Sequence, residues 1–268
     1  AAGKGVVVAM TEQEADEALR DMLLDESFGR GRVVIEEYLE GPEFSLLCFV
    51  CGDKLYPMPM AQDHKRAVDG DMGPNTGGMG AYTCLPFITE EDHKYAMEKI
   101  MRPTAAAMVA EGCPLTGVLY GGLMKTPNGI KVIEFNARFG DPETEVILPL
   151  ISSDIYDIFE AVATGRESAE PTWESLATLG IVLASKGYPG SYEKGYAIEG
   201  LEAVDGMVYH MGTAAKDGEI VTAGGRVMIV VCKDETLAAA HAKANAEVAK
   251  IKCDNLFYRT DIGHKAFK

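Results

Sequence analysis

The chain has 268 residues, 47% of them hydrophobic and 25% charged. That is enough apolar side chain to bury a sizeable core, and it excludes wholesale disorder. Twenty-five Lys and Arg against 41 Asp and Glu leave a net charge of −16, which disfavours non-specific binding to nucleic acid or to an anionic membrane. The longest apolar runs, such as Val227–Cys232, fall far short of the ~18 residues a membrane helix needs.

In chain order, the β-branched run Gly5–Met10 predicts a strand. Thr11 and Glu14 form a capping box that opens a helix, with an apolar stripe at Ala15, Ala18, Leu19, Met22 and Leu23. Val33–Leu39 predicts a second strand, ending at the turn Glu40-Gly41-Pro42. Glu43–Cys51 predicts another, with Gly52-Asp53 as a turn and Lys54–Pro59 pairing back. Gln62–Pro86 mixes charge, Gly, Pro and Asn with little periodicity, so a long irregular loop is expected there. Thr89 caps a helix running to about Glu111. Gly117–Met124 and Ile130–Phe135 form a hairpin around Asn128-Gly129. Asn136–Glu145 is a polar loop, and Val146–Gly165 predicts one helix that tolerates Pro149 near its start. Ser168–Ser175 reads as a linker, which places a domain boundary near residue 175. Beyond it come strand Leu179–Ser185, turn Lys186–Gly190, short strands around Ala203–Met211, a hairpin at Lys216–Glu219, strand Arg226–Lys233 and helix Glu235–Ile251.

The six cysteines are irregularly spaced, and the one CxxC pair, Cys48 and Cys51, lies inside an apolar strand. Free thiols, buried or half-buried, in a reducing cytoplasm are the expectation. The five histidines show no metal spacing. The chain opens on AAGKGVVVAM, which reads as the middle of a loop entering a strand. A later part of a longer protein is therefore expected.

Four constellations carry candidate chemistry. In VIEFNARFGDPE (132–143), strand alternation projects Glu134 and Asn136 from one face. Two hard oxygen donors at a strand end suit Mg²⁺ between phosphates, with Arg138 two residues on to neutralise a transferring phosphoryl group; a solvated strand end is the plainer alternative. AAGKG could wrap phosphates with its amides and Lys4, although it is neither a Walker A loop nor a dinucleotide fingerprint. In VVIEEYLEGPEFS, backbone groups, Leu39, Glu37 and Glu43 could meet an adenine and a ribose, or the segment could be an acidic edge strand. The loop from Asp63 to Gly80 sets Lys65 and Arg66 beside Gly73, Gly77, Gly78 and Gly80, so it is either an anion-binding lid or an ordinary surface loop.

The order of AAGKG, EEYLEG, DHKR, GPNTGGMGAY, EFNARFGDPE, ASKGYPG and GGRV resembles the glycinamide ribonucleotide synthetase family of the ATP-grasp superfamily, over essentially the whole chain. The resemblance implies an α+β ATP-grasp fold: residues 1–38 as the second half of the lid, 39–175 as the central catalytic domain and 176–268 as a small C-terminal α/β domain. It implies ATP-dependent ligation of glycine to 5-phosphoribosylamine through a glycyl phosphate, in purine biosynthesis, with Mg²⁺ or Mn²⁺. It places metal on Glu134 and Asn136. ATP would meet Lys4, Glu36, Glu37, Leu39 and Glu43, with Asp63, Asn75, Gly77 and Gly78 facing phosphates and substrate. Lys65, Arg66, Arg138 and Asp141 would be catalytic. The strand before EFN, GVLYGGLM, offers no second acidic metal ligand. The family's upstream domain and first lid half have no counterpart in these residues, so an inactive fragment is expected, acting as a cytoplasmic monomer once completed in cis. Another ATP-grasp carboxylate–amine ligase, or a non-catalytic ATP-binding fragment, are the alternatives.

Overall fold

The computed structural model describes residues 6–24, 32–166 and 170–267. It forms two compact units, residues 1–40 and 41–268.

In the first unit, helix α1 (Glu12–Leu23) starts at the expected cap: Thr11 Oγ1 accepts the Glu14 N–H at 3.2 Å, but the Glu14 carboxylate takes the Met10 N–H at 2.7 Å rather than that of Thr11, so only half of the capping box forms. Ala15, Ala18, Leu19 and Met22 are half-buried, while Leu23 is exposed. The strands expected at Gly5–Met10 and Val33–Leu39 do not form ladders over their described residues. Those stretches are extended, but a strand needs a hydrogen-bonding partner as well as β-branched residues, and Val34 and Ile35 stay exposed.

The second unit is built on a ten-stranded antiparallel sheet with helices on both faces, with two separate two-stranded hairpins. Its elements are β1 (Glu43–Cys51), β2 (Lys54–Pro57), β3 (Ala61–Asp63), β4 (Arg66–Val68), β5 (Met72–Asn75), β6 (Gly80–Thr83), α2 (Glu90–Tyr95), α3 (Arg102–Ala110), β7 (Thr116–Thr126), β8 (Gly129–Asn136), α4 (Glu143–Ile147), α5 (Ile155–Thr164), β9 (Ala177–Ser185), β10 (Met207–His210), β11 (Thr213–Lys216), β12 (Glu219–Thr222), β13 (Arg226–Asp234), α6 (Leu237–Val248) and β14 (Leu256–Phe257). The strand order is β10-β13-β9-β6-β3-β1-β7-β8, with β2 added on β1 and β14 on β9, and the separate hairpins are β4–β5 and β11–β12. β1 is apolar from Leu46 onward because it is covered on both sides: Phe44, Leu46, Cys48 and Val50 pack into one core, Leu47 and Phe49 into the other. The first core takes Met97, Ile100 and Met101 from the α2–α3 stretch and Ala240, Ala244 and Val248 from α6. The second takes Val146 and Ile147 from α4 and Ile158 and Val162 from α5.

Four expectations change in this unit. Gln62–Pro86 is largely strand: β3 and β6 belong to the main sheet, and β4 and β5 make a hairpin of their own. These strands are three or four residues long and interrupted by Gly and Pro, too short to show a period of two. Val146–Gly165 is two helices, not one. The first ends in a 3₁₀ turn around Pro149, and α5 restarts where Asp154 accepts the Tyr156 N–H at 2.9 Å. The helix from Thr89 has its capping box with Asp92, but it widens to a π turn at Ala96–Met101 before Pro103, which has no N–H to return to the preceding turn. All six cysteines are free thiols, with Cys84 and Cys113 exposed rather than half-buried.

Candidate active site

Strand alternation builds a small polar cleft at one edge of the second unit. β1 contributes Glu43 and Ser45, β7 contributes Tyr120 and Gly122, β8 contributes Glu134, and Asp63 and Lys65 enter from the end of β3. Lys65 Nζ lies 2.9 Å from Glu43 Oε2. Burial pushes the Asp63 carboxyl up to about 7, and the charges of Glu143 and Glu43 add to this against Lys65. Burial pulls the Lys65 ammonium down, but Asp63 and Glu43 outweigh it and hold it above its usual range. The cleft thus keeps a charged lysine among carboxylates, a setting that can bind an anion once a cation joins it.

Glu134 and Asn136 project together as alternation predicts. Asn136 Nδ2 donates to Glu134 Oε1 at 3.1 Å, which leaves the amide oxygen and the second carboxylate oxygen as donors to a cation. Opposite them, a Cβ on Gly122 would come within 3.2 Å of Glu134 Cγ, so glycine leaves the carboxylate its position. This hard-oxygen pair fits Mg²⁺ or Mn²⁺. Arg138 lies with its Cζ 5.9 Å from the Tyr120 ring centroid and donates to the Phe139 carbonyl at 2.7 Å.

The loop after β8 is fastened along its length. Phe139 enters an aromatic cluster with Phe49 and Phe159. Glu143, buried, accepts from Ser45 Oγ at 2.9 Å and from Tyr120 OH at 2.8 Å. Burial and the Glu143 charge hold the Tyr120 phenol above its usual range, so it stays a donor. Asp141 pairs with Arg226 at 2.8 Å. Across from it lies the glycine loop: a Cβ on Gly78 would stand 2.5 Å from Pro142 Cδ, and the Gly77 N–H donates to Tyr188 OH at 3.0 Å.

The predicted residues thus fall into groups. Glu43, Asp63, Lys65 and Glu134 share the cleft, with Asn136 bonded to Glu134. Asp141, Gly77 and Gly78 meet at Arg226. Arg66 faces the other way, donating to the Gly73 carbonyl at 2.7 Å within the β4–β5 hairpin, and Asn75 pairs opposite it in the ladder. Glu36, Glu37 and Leu39 belong to the first unit, where Leu39 is half-buried and the two glutamates exposed. Lys4 lies outside the described residues. Sequence reasoning gave no role to Ser45, Tyr120, Tyr188 or Arg226. A polar Ser and Tyr inside otherwise apolar strands, and a lone Arg after Gly-Gly, were the available signals.

His64 is not a cleft residue. It is fully buried and its Nε2 accepts the Gly263 N–H at 2.9 Å, which leaves the proton on Nδ1, 3.5 Å from Asp71. Burial pulls it down to about 4, so it is neutral. His264 also faces Asp71, but so do Arg259 at 3.0 Å and Lys265 at 3.1 Å. Two fixed cations on the one carboxylate make this group an ion network, poorly suited to a dication.

The fold and the oxygen-donor cleft are those of an ATP-grasp protein. The family model of the phosphoribosylglycinamide synthetase ATP-grasp (A) domain matches residues 1–144, and that of the phosphoribosylglycinamide synthetase C domain matches residues 178–265. The chain belongs to the phosphoribosylglycinamide synthetase family. It is 56% identical over 270 residues to a phosphoribosylamine–glycine ligase of Halalkalibacterium halodurans, covering 99% of this chain and 63% of that relative. It is 50% identical over 273 residues to the trifunctional purine biosynthetic protein adenosine-3 of Gallus gallus, covering 99% of this chain and 27% of the relative. Among solved structures, the phosphoribosylamine–glycine ligase of Thermotoga maritima superposes with a TM-score of 0.90 at 35% identity, over 97% of this chain and 66% of that one. The chain therefore spans under two thirds of the bacterial relatives it matches.

Proposed function

We propose that the protein carrying this chain ligates glycine to 5-phosphoribosylamine at the expense of ATP. The observation that supports this reading best is the cleft in which Glu134, bonded to Asn136, lies with Lys65, Glu43 and Asp63. A bound Mg²⁺ or Mn²⁺ would neutralise the phosphate oxygens of ATP there. The glycine carboxylate oxygen attacks the γ-phosphorus and ADP leaves, giving glycyl phosphate. The amine of phosphoribosylamine then attacks the acyl carbon, phosphate leaves, and the amine loses a proton. Most of the work is positioning and charge neutralisation. Lys65, held charged by its carboxylate neighbours, meets the phosphates. Arg138 covers the transferring group, and Asp141 holds the amine or the acyl phosphate in place.

Residues 1–38 are the second half of the ATP-grasp lid, with Lys4, Glu36, Glu37 and the adjoining Leu39 as its ATP-binding residues. Residues 39–175 supply the central site, and 176–268 form the C-terminal domain. Gly77 and Gly78 admit phosphate or substrate close to the backbone, with Asn75 and Arg66 on the same hairpin. The whole protein acts as a cytoplasmic monomer on these small molecules, and the 268 residues alone turn over little. Among the described residues no helix is long and apolar enough to cross a membrane.

The test is ADP release by the full-length protein with Mg-ATP, glycine and phosphoribosylamine, each omitted in turn. Release that needs both glycine and the amine supports the reading; release with a different acid or amine overturns the substrate assignment. Full turnover by the 268 residues alone would overturn the expected dependence on the remaining third.

A further inference from the structure

Arg226 opens β13, yet its guanidinium reaches two loops that are distant in sequence. Its Nη1 lies 2.8 Å from Asp141 Oδ1, and donates to the Asp141 carbonyl at 3.1 Å and to the Gly77 carbonyl at 3.0 Å, with the Gly78 carbonyl at 3.5 Å. The neighbouring residues make room for this contact. Tyr188 takes the Gly77 N–H, and its ring lies so close to Gly225 that a Cβ there would stand 2.4 Å away. The glycine loop is thus held by its N–H, by its carbonyls and by the Pro142 ring on its other side. The pairing side chain is 19% exposed on Arg226 and 50% on Asp141, so one partner is fixed and the other faces solvent.

We propose that Arg226 is a positioning residue of the ligation site, setting Asp141 and the Gly77–Gly78 backbone at a fixed separation. Through it the C-terminal segment takes part in a reaction whose other groups all come from residues before 145. This rests on the ligase reading above. All of these contacts are made by one terminal nitrogen of the guanidinium, held in a rigid plane; a lysine ammonium keeps the charge but sits on a flexible stem that does not fix the nitrogen there. A shift of about 1 Å between Asp141 and the loop would cost about 10²-fold in turnover.

The test has two arms. In the full-length protein, R226Q and R226K should each lose about 10²-fold in kcat while KM for ATP stays within about twofold. R226Q combined with D141N should be no slower than the slower single variant, because both changes break one unit. Losses that multiply, or a kcat within about twofold of the parent, overturn the proposal. In the 268-residue chain, amide exchange at residues 77–80 should quicken about tenfold in R226Q, with the sheet amides of β1 and β7 unchanged. Unchanged exchange at 77–80 overturns the positioning role whatever the reaction is. If the parent releases no ADP with glycine and phosphoribosylamine, the ligase reading fails separately and the exchange arm still decides. R226K guards against a folding defect: wholesale loss of β1 and β7 protection in both variants would show a structural role and overturn the proposal.

Discussion

Glu145 shows how much one buried carboxylate near the site can weigh. Its Oε2 is buried without a hydrogen-bond partner. Burial pushes its pKa from 4.5 up to about 7, helped by the charge of Asp141 and opposed by Arg226. Between those two values the folded chain keeps a proton that the unfolded chain has lost. Stability therefore falls as pH rises from 4.5 to 7, and the penalty is complete above 7. E145Q abolishes the titration, so urea denaturation should find it more stable than the parent at pH 8 and equal to it near the unfolded pKa of 4.5. A gain of the same size at both pH values would refute this account. Gly78 is the opposite case, a residue fixed by space. Its φ of +114° disfavours any side chain, and the Pro142 ring occupies the Cβ position. Gly78→Ala should cost about 1–3 kcal/mol, measured as a lower midpoint in thermal denaturation; an unchanged midpoint would contradict the fit. At this scale the sequence was a good guide where one strand sufficed. Glu134 and Asn136 follow from alternation alone. Arg226 was out of reach, because its partners Gly77 and Asp141 lie 149 and 85 residues away and meet it only when the sheet is assembled.

Elements were legible where their signal is local. Thr89 with Asp92, Thr11 with Glu14 and the Asn128-Gly129 hairpin all appear where capping and turn chemistry put them. β1, β9 and β13 were legible as apolar runs of strand length. What failed was everything that depended on a partner. Val33–Leu39 has strand composition but no ladder, whereas Gly80–Thr83 has poor strand composition and lies in the middle of the sheet between β3 and β9. The split between α4 and α5 was missed because Asp154 was not read as a cap. Its worth can be measured: Asp154→Ala removes the acceptor of the Tyr156 N–H and should cost about 1 kcal/mol in chemical denaturation, whereas Asp154→Asn should cost much less. Equal losses in the two variants would point to a role other than capping.

At the scale of the molecule, the chain divides one way by family and another by contact. The two family models leave a gap between residues 144 and 178, yet β6 pairs with β9 through Gly80, Ala81 and Tyr82, so one sheet runs through residues 41–268. A second tie lies at the sheet's edge. Arg259, fully buried, bonds both oxygens of Asp261 at 2.7 and 2.9 Å, Asp71 at 3.0 Å and the Arg66 carbonyl at 3.0 Å. The Asp69 carboxylate in turn accepts from Thr260. The end of the chain is thereby fastened to the β4–β5 hairpin that follows Lys65. Two ties of this kind predict that residues 41–268 unfold as a single cooperative unit. The only Trp, Trp173, bridges to Ile151 at the junction between the two family segments, so its fluorescence reports on the seam and far-UV dichroism on the sheet. The two signals should share one midpoint. Arg259→Gln removes the guanidinium from Asp71 and Asp261, which are half-buried, and Asp71 keeps Lys265 at 3.1 Å, so the loss should be about 1–3 kcal/mol. Both signals should then move down together. A fluorescence midpoint that stays in place while the dichroism shifts, or two midpoints in the parent chain, would mean that the C-terminal segment unfolds on its own, and the family division would then be the physical one as well.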